Sequence, residues 1–189
     1  MIFEDDIAAC LTVLKKGGII LYPTDTVWGI GCVATNEKAV QKIYALKKRQ
    51  LDKSMIILLS RETDILQYSN QDYPKIFDYI KDANNPVTII YKNAKNLAKN
   101  LVSTDGSIGI RIVKDKFCKT LIELLGKPLV STSSNISGYP PPANFRDIDI
   151  EIKNGVDYIV RHRQDDVAIA KPSTVVTIGE DGKIIILRP

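Results

Sequence analysis

Cationic and hydroxyl-bearing side chains concentrate in four short stretches, and their types suit the binding of an anion. The stretch LKKRQLDK (46–53) carries Lys47, Lys48, Arg49 and Lys53. Compensation of the negative end of a helix accounts for two such cations. A cationic loop that also includes Lys53 and leads into a strand suits a polyphosphate. The stretch VSTSSNISGYPPP (130–142) supplies Ser131, Thr132, Ser133, Ser134, Asn135 and Ser137. Hydroxyls and an amide hold phosphate oxygens or a carboxylate without adding charge, and the prolines that follow favour a shaped wall over a solvated serine-rich loop. LYPTDTVWGIG (21–31) sets Thr24, Asp25 and Thr26 beside a tryptophan and two glycines. It reads either as a binding loop at the carboxyl end of a strand or as a structural loop plugged by Trp28. KPSTVV (171–176) adds Ser173 and Thr174, and Arg188 stands near the end of the sequence.

Other chemistries find no support. His162 is the single histidine; Arg161 and Arg163 flank it, which points to an exposed position and leaves neither a serine–histidine–acid triad nor a histidine metal cluster. Cys10, Cys32 and Cys118 are widely spaced with no C-x-x-C, so neither a zinc site nor a disulfide framework is indicated. No GxxxxGK[ST] loop occurs. Residues 29–34, GIGCVA, match the dinucleotide pattern G-x-G-x-x-A, with Asp52 beyond. That pattern needs its glycines at a strand-to-helix turn, whereas here the first glycine falls well past the strand and the helix cap comes later, at Asn36.

The elements that must position these stretches alternate. Ile7, Cys10, Leu11 and Leu14 recur at helical spacing, with Asp5 or Asp6 as cap and Gly17–Gly18 as stop. IILY (19–22) is a short strand, and a helix runs from the cap Asn36 to about Lys48 with Ala39, Val40, Ile43 and Leu46 inward. Strands are predicted at 55–59, 86–91, 107–113, 128–133, 156–160, 173–178 and 183–188, and helices at 62–68, 74–83 and 117–126, the last stopped by Gly126. GEDG (179–182) joins the last two strands as a hairpin turn. The fold class is α/β with a mixed sheet.

With 189 residues and no repeat or dividing linker, one domain over 1–189 is expected. Lys plus Arg is 26 and Asp plus Glu 22, and the formal net charge of +4 permits an anionic partner without demanding one. The acidic N-terminal segment is not a signal peptide, and no apolar run reaches membrane-spanning length, so a cytoplasmic protein that does not engage a membrane is expected.

Taken in order, the four stretches resemble the YrdC-like family, the threonylcarbamoyl-AMP synthases of tRNA modification. YPTDTVWGIG is similar to the family's P-T-E-T-V-Y-G-L-G loop, with Asp25 for Glu and Trp28 for Tyr. Lys47 and Arg49 supply K-x-R; Ser133 and Asn135 supply S-x-N, followed by a similar S-G-x-P-P-P; KPSTVV and the closing ILRP match the last two signatures. Gln50 replaces the proline after K-x-R, NNPVT (84–88) replaces a W-P-G-P-x-T-like segment, and the P-x-H-P after Arg111 is missing.

The resemblance implies an open, twisted mixed sheet with flanking helices and a basic concave surface, in the short form without the extra C-terminal domain of longer relatives. It implies that L-threonine, bicarbonate or CO2 and ATP give threonylcarbamoyl-AMP and pyrophosphate, with Mg2+ riding on the ATP phosphates. Partner proteins then transfer the threonylcarbamoyl group to tRNA. Lys47, Arg49, Ser133 and Asn135 would be catalytic. Arg49, Lys53, Ser107, Ser133, Asn135, Pro141 and Arg188 would bind ATP, and Thr26, Arg111, Ser131 and Ser173 would bind threonine; no protein metal ligand is implied. The alternatives are a non-catalytic protein that binds tRNA or double-stranded RNA, a paralogue with another activity, and the nicotinamide enzyme already disfavoured.

Overall fold

In the computed structural model the described residues are 2–50, 55–71, 76, 79, 80, 83, 85–168, 171–179 and 182–189. The α-helices whose bounds fall within the described residues are α1 (Ile2–Lys15), α2 (Glu37–Leu46), α3 (Lys116–Leu125) and α4 (Ile150–Gly155). Among the described residues nine strands are β1 (Ile20–Tyr22), β2 (Gly29–Gly31), β3 (Ile56–Leu59), β4 (Val87–Tyr91), β5 (Ile108–Ile112), β6 (Leu129–Ser133), β7 (Tyr158–Ile159), β8 (Thr174–Ile178) and β9 (Ile184–Arg188). They form one open mixed sheet in the order β7-β1-β2-β6-β3-β5-β4-β8-β9. The pairs β1/β7, β3/β5 and β4/β8 are parallel and the remaining five antiparallel.

Local chemistry sets the helix ends. Asn36 caps α2, its side-chain oxygen accepting from the Ala39 amide at 3.1 Å, and the inward residues Ala39, Val40 and Ile43 are all fully buried. Asp115 caps α3 in the same way through Cys118, and Gly126 ends that helix in the left-handed conformation at φ 64°.

Four sequence expectations change. The segment 21–31 is not one loop, because Gly29–Gly31 forms β2, paired with both β1 and β6. Only glycine fits there: a Cβ on Gly31 would lie 2.6 Å from the Val130 carbonyl and 2.7 Å from the Tyr22 ring. Those glycines thus sit inside a strand, which removes the dinucleotide geometry. Helix α1 starts ahead of Asp5 and Asp6, so neither caps it. The 62–68 helix is a 3-10 segment, Glu62–Gln67, and α4 is an additional helix announced only by its cap, Asp149. The expected helix at 74–83 and the GEDG turn fall largely outside the described residues, as do Asp52 and Lys53.

Asp6 is fully buried and serves a different purpose. Its carboxylate accepts from the Tyr158 hydroxyl (2.6 Å), the amides of Arg161 (3.1 Å) and His162 (2.7 Å), and Arg161 Nε (3.3 Å). Burial alone would raise its pKa, but these donors outweigh burial and hold it below the usual value. His162 is half-buried rather than exposed, its ring 5.4 Å from Phe3 and 5.8 Å from Phe117. Among the described residues no helix is long and apolar enough to cross a membrane.

Candidate functional site

The loop 23–28 joins β1 to β2 and is braced from within. Thr24 Oγ1 donates to the Val27 carbonyl at 2.8 Å and accepts from the Thr26 amide at 2.9 Å. Arg163 ties the same loop to α3, its Nη1 meeting Asp115 at 2.9 Å and its Nη2 the Thr24 carbonyl at 3.3 Å. Trp28 is buried against Phe145, with ring centroids 4.8 Å apart. The tryptophan is therefore the loop's plug, Thr24 braces the loop from within, and Thr26 lines a cleft.

That cleft, of about 240 Å³, is lined by Thr26, Gly29, Arg49, Arg111, Ser131, Ser133, Pro141, Ser173 and Arg188, with Met55, Ile56 and Val175 as apolar wall. Its residues come from the β1–β2 loop, the segment after α2, β5, β6, the entry to β8 and the end of β9. The sheet order alone brings these distant segments together.

Arg111 on β5 is nearly fully buried. Its Nη1 donates to Thr26 Oγ1 at 2.9 Å and its Nη2 lies 3.3 Å from Asp25 Oδ1, while its buried Nε has no hydrogen-bond partner among the described residues. Arg188 holds the Ser173 carbonyl through Nη2 (2.9 Å) and Nε (3.3 Å), and Ser173 Oγ shares a 2.8 Å hydrogen bond with Thr88 Oγ1. Burial first, and then the charge of Arg111, push the Arg188 pKa below its ordinary value. Two guanidinium groups thus face one cleft closely enough to repel each other.

Lys47 does not face this cleft. It is the C-cap of α2 and is fully buried, with Nζ donating to the carbonyls of Asn135 (2.5 Å) and Ser133. The amide of Ser137 returns a bond to the Lys47 carbonyl at 2.8 Å. Lys47 therefore pins the loop that follows β6. Burial, and then the Arg49 charge, bring its amine down to about 7. A neutral amine keeps two N–H donors, enough for both carbonyls, so the loop is held in either protonation state.

Asn135 also turns away from the cleft. Its Nδ2 donates to the carbonyls of Ile136 (2.9 Å) and Tyr139 (2.7 Å), shaping the loop rather than facing Arg49. Ser107 lies at the entry to β5, where its hydroxyl and amide both meet Asp105, at 2.6 and 3.0 Å, and it does not line the cleft. The structure thus brings together Thr26, Arg49, Arg111, Ser131, Ser133, Pro141, Ser173 and Arg188, and separates Lys47, Ser107 and Asn135 from them. Lys53 is outside the described residues. Sequence reasoning names Asp25 without giving it a role and misses Thr88 and Arg163: Asp25 and Thr88 orient Arg111 and Ser173, and Arg163 braces the loop. Asp25 had a signal, because it stands inside a stretch already singled out.

The three cysteines are buried, and burial raises each thiol, Cys10 to about 12, which removes them as nucleophiles. No group of three or more His, Cys, Asp or Glu among the described residues could hold a metal ion.

The family model for Sua5, YciO and YrdC proteins, described as "Telomere recombination", matches residues 12–189. The chain belongs to the Sua5/YciO/YrdC family. Within the family, it is 37% identical over 191 residues to a protein of Methanocaldococcus jannaschii named "Putative threonylcarbamoyl-AMP synthase", covering 98% of this chain and 87% of that one. It is 32% identical over 160 residues to the "Threonylcarbamoyl-AMP synthase" of Pseudoalteromonas translucida, covering 83% and 86%. The fold superposes on Pyrococcus abyssi Sua5, solved with L-threonine, with a TM-score of 0.85 at 22% identity, covering 99% of this chain. The chain spans 54% of that Sua5 chain. Escherichia coli YciO gives a TM-score of 0.82 at 23% identity over 98% of this chain and 89% of its own. This family fold, a mixed open sheet with flanking helices, is the one found here.

Proposed function

We propose that the chain is a threonylcarbamoyl-AMP synthase, joining L-threonine, bicarbonate-derived CO2 and ATP into threonylcarbamoyl-AMP with release of pyrophosphate. The observation that carries this reading is the cleft itself: Arg49, Arg111 and Arg188 converge on a hydroxyl-lined space whose described lining has no carboxylate. The lowered pKa of Arg188 marks a cluster of cations that a bound anion would relieve. The names of the relatives at 32–37% identity support the same activity.

In this reading the threonine carboxylate meets Arg111, which Thr26 and Asp25 hold in place. Thr26, Ser131 and Ser173 offer hydroxyls to the rest of the amino acid. The amine attacks CO2, a nitrogen–carbon bond forms, and the nitrogen loses a proton to give a carbamate. A carbamate oxygen then attacks the α-phosphorus, the bond to the β-phosphate oxygen breaks, and pyrophosphate leaves. Alignment and neutralisation of charge are what the step needs from the protein. Arg49 and Arg188 would face the phosphates, a role the family resemblance gives Lys53 as well, and Ser133 and Pro141 would line the nucleotide. Lys47 and Asn135 act through the loop they shape. Mg2+ would be held through the ATP phosphates and would neutralise part of their charge, since no described side chain of the lining is a carboxylate. The product would pass, in the cytoplasm, to partner proteins that place the threonylcarbamoyl group on tRNA.

The test is pyrophosphate release from Mg-ATP with each substrate omitted in turn. Release should require both L-threonine and bicarbonate, and serine should be poorer by about 1–3 kcal/mol, since it lacks the methyl that an apolar wall would bury. Release independent of threonine or bicarbonate would overturn the proposal.

A further inference from the structure

The cleft has an apolar floor beneath its polar rim, and the sheet register places it. Ile56 on β3 stands opposite Ser131 on β6 and opposite Gly109 on β5, so the three share one face of the sheet. Arg111, two residues along β5, is on that face, and so is Thr88 on β4, two residues from Ile90, which pairs with Gly109. Ile56, Thr88, Ser131 and Arg111 all line the cleft. Leu58, the next residue of β3 on this face, stands opposite Arg111 and is fully buried, whereas Ile56 is half-buried. Ile56 is thus the side chain that β3 gives to the described lining.

Gly109 sets how Ile56 and Thr88 lie. A Cβ on Gly109 would be 2.8 Å from Ile56 Cγ2 and 3.2 Å from Thr88 Cγ2, the first closer than side chains approach. The two methyls therefore fill, from opposite sides, the space that a side chain at 109 would take. Thr88 is fixed from its other end as well, since its Oγ1 shares a 2.8 Å hydrogen bond with Ser173 Oγ. The result is a patch of two methyls bounded by Ser131 on β6, Arg111 on β5 and Ser173 at the entry to β8. Other apolar lining lies elsewhere: Val175 pairs with Arg188, and Pro141 shares its loop with Ser133, which puts both at the phosphate and nucleotide end.

We propose that Ile56, with the Thr88 methyl beside it over Gly109, is the surface that receives the methyl of the amino-acid substrate and separates threonine from serine. The inference deepens the synthase reading and rests on it, because that reading makes threonine the ligand. Threonine presents a carboxylate, an amine, a hydroxyl and one methyl. Arg111, Thr26, Ser131 and Ser173 meet the first three. The methyl needs an apolar surface inside that polar ring, and the register puts the Ile56–Thr88 patch there. One such group in a hydrophobic pocket is worth about 10- to 200-fold in discrimination. Thr88 then has two separable roles: its hydroxyl positions Ser173, which serves threonine and serine alike, and its methyl serves threonine alone.

The test titrates the full chain with L-threonine and with L-serine by calorimetry, which gives a ratio of Kd values, and measures pyrophosphate release with Mg-ATP and bicarbonate, which gives a ratio of kcat/KM. Both ratios should favour threonine by about tenfold or more in the parent. Ile56→Ala should bring them to about threefold or less. Thr88→Ser keeps the hydroxyl for Ser173 and deletes only the methyl, and should lower both ratios about threefold. Thr88→Val keeps a methyl and deletes the hydroxyl, so it should weaken both amino acids alike and leave the ratios at the parent's value. A merely structural role for Thr88 would not separate these two variants. Melting temperatures check that each variant is folded, and Thr88→Ser carries the test where Ile56→Ala does not fold. Parental ratios in folded Ile56→Ala or in Thr88→Ser, or a parent that binds serine as tightly as threonine, would overturn this inference alone. Parental pyrophosphate release that is independent of threonine or bicarbonate would instead overturn the synthase reading on which it rests.

Discussion

Replacing Lys47 by methionine separates a side chain that holds a loop from one that touches substrate. The structure places the amine in full burial against two backbone carbonyls, with its pKa brought down to about 7 from an ordinary 10.5. A base with a depressed native pKa binds fewer protons folded than unfolded between those two values. Parent stability therefore rises with pH from about 7 to about 10.5 and is flat below 7. The slope is about 1.4 kcal/mol per pH unit, so two units, from about pH 7.5 to 9.5, contribute about 2–3 kcal/mol. For a chain of this size that is about 5–10 °C in melting temperature. Methionine has no proton to bind, so the parent-minus-variant difference should grow by that amount across the window, whatever its value at the start. The variant also leaves the Ser133 and Asn135 carbonyls unpaired, and turnover should fall as Ser133 shifts. The assay is thermal unfolding of both proteins at matched pH values beside pyrophosphate release. A pH-independent difference, combined with lost turnover at unchanged melting temperature, would show that the amine faces substrate, and the loop-pinning account would be wrong.

Arg49→Lys and Arg49→Ala should each lower turnover by about tenfold or more, with the melting temperature within about 2 °C of the parent, because an ammonium does not reproduce the two-point contact of a guanidinium; parental steady-state rates in both would remove Arg49 from the site. Asp25→Asn leaves the buried Arg111 without its ion pair and should cost about 3 kcal/mol in chemical denaturation while raising the KM for threonine; an unchanged denaturation midpoint would mean that the pair carries no stability. Asp6 has a depressed pKa, so its contribution is complete above about pH 4 and is lost as pH falls through its lower native value. The parent's melting temperature should fall more steeply below about pH 4 than that of Asp6→Asn, and parallel curves there would contradict the assignment.

Much of the architecture was legible because it rests on local signals. The Asn36 cap with its inward Ala39, Val40 and Ile43 fixes α2, and Gly126 and the alternating tail fix the end of α3 and the β8–β9 hairpin. What was not legible depends on neighbours distant in sequence. Gly29 and Gly31 disfavour a strand, and the segment is one because β1 and β6 pair with it and because the Tyr22 ring fills the space a Cβ on Gly31 would need. Asp6 looks like a cap until the segment around Tyr158 to His162 is seen to donate to it. The candidate site followed the same division. The stretches containing Thr26, Arg49, Ser133 and Arg188 could be picked out by residue type, but whether a cation turns inward cannot. Lys47 and Arg49 are two residues apart, and one pins a loop while the other lines the cleft.

The central claim is that one cleft joins threonine, a one-carbon unit from bicarbonate and AMP. The most direct measurement incubates the protein with Mg-ATP, L-threonine and 13C-bicarbonate and follows the label by NMR and mass spectrometry. The account predicts a labelled carbamoyl carbon bonded to the threonine nitrogen and carried on AMP, formed in step with pyrophosphate and lost when Arg49 is replaced by alanine. Pyrophosphate or AMP formed with no label in any threonine adduct would contradict it.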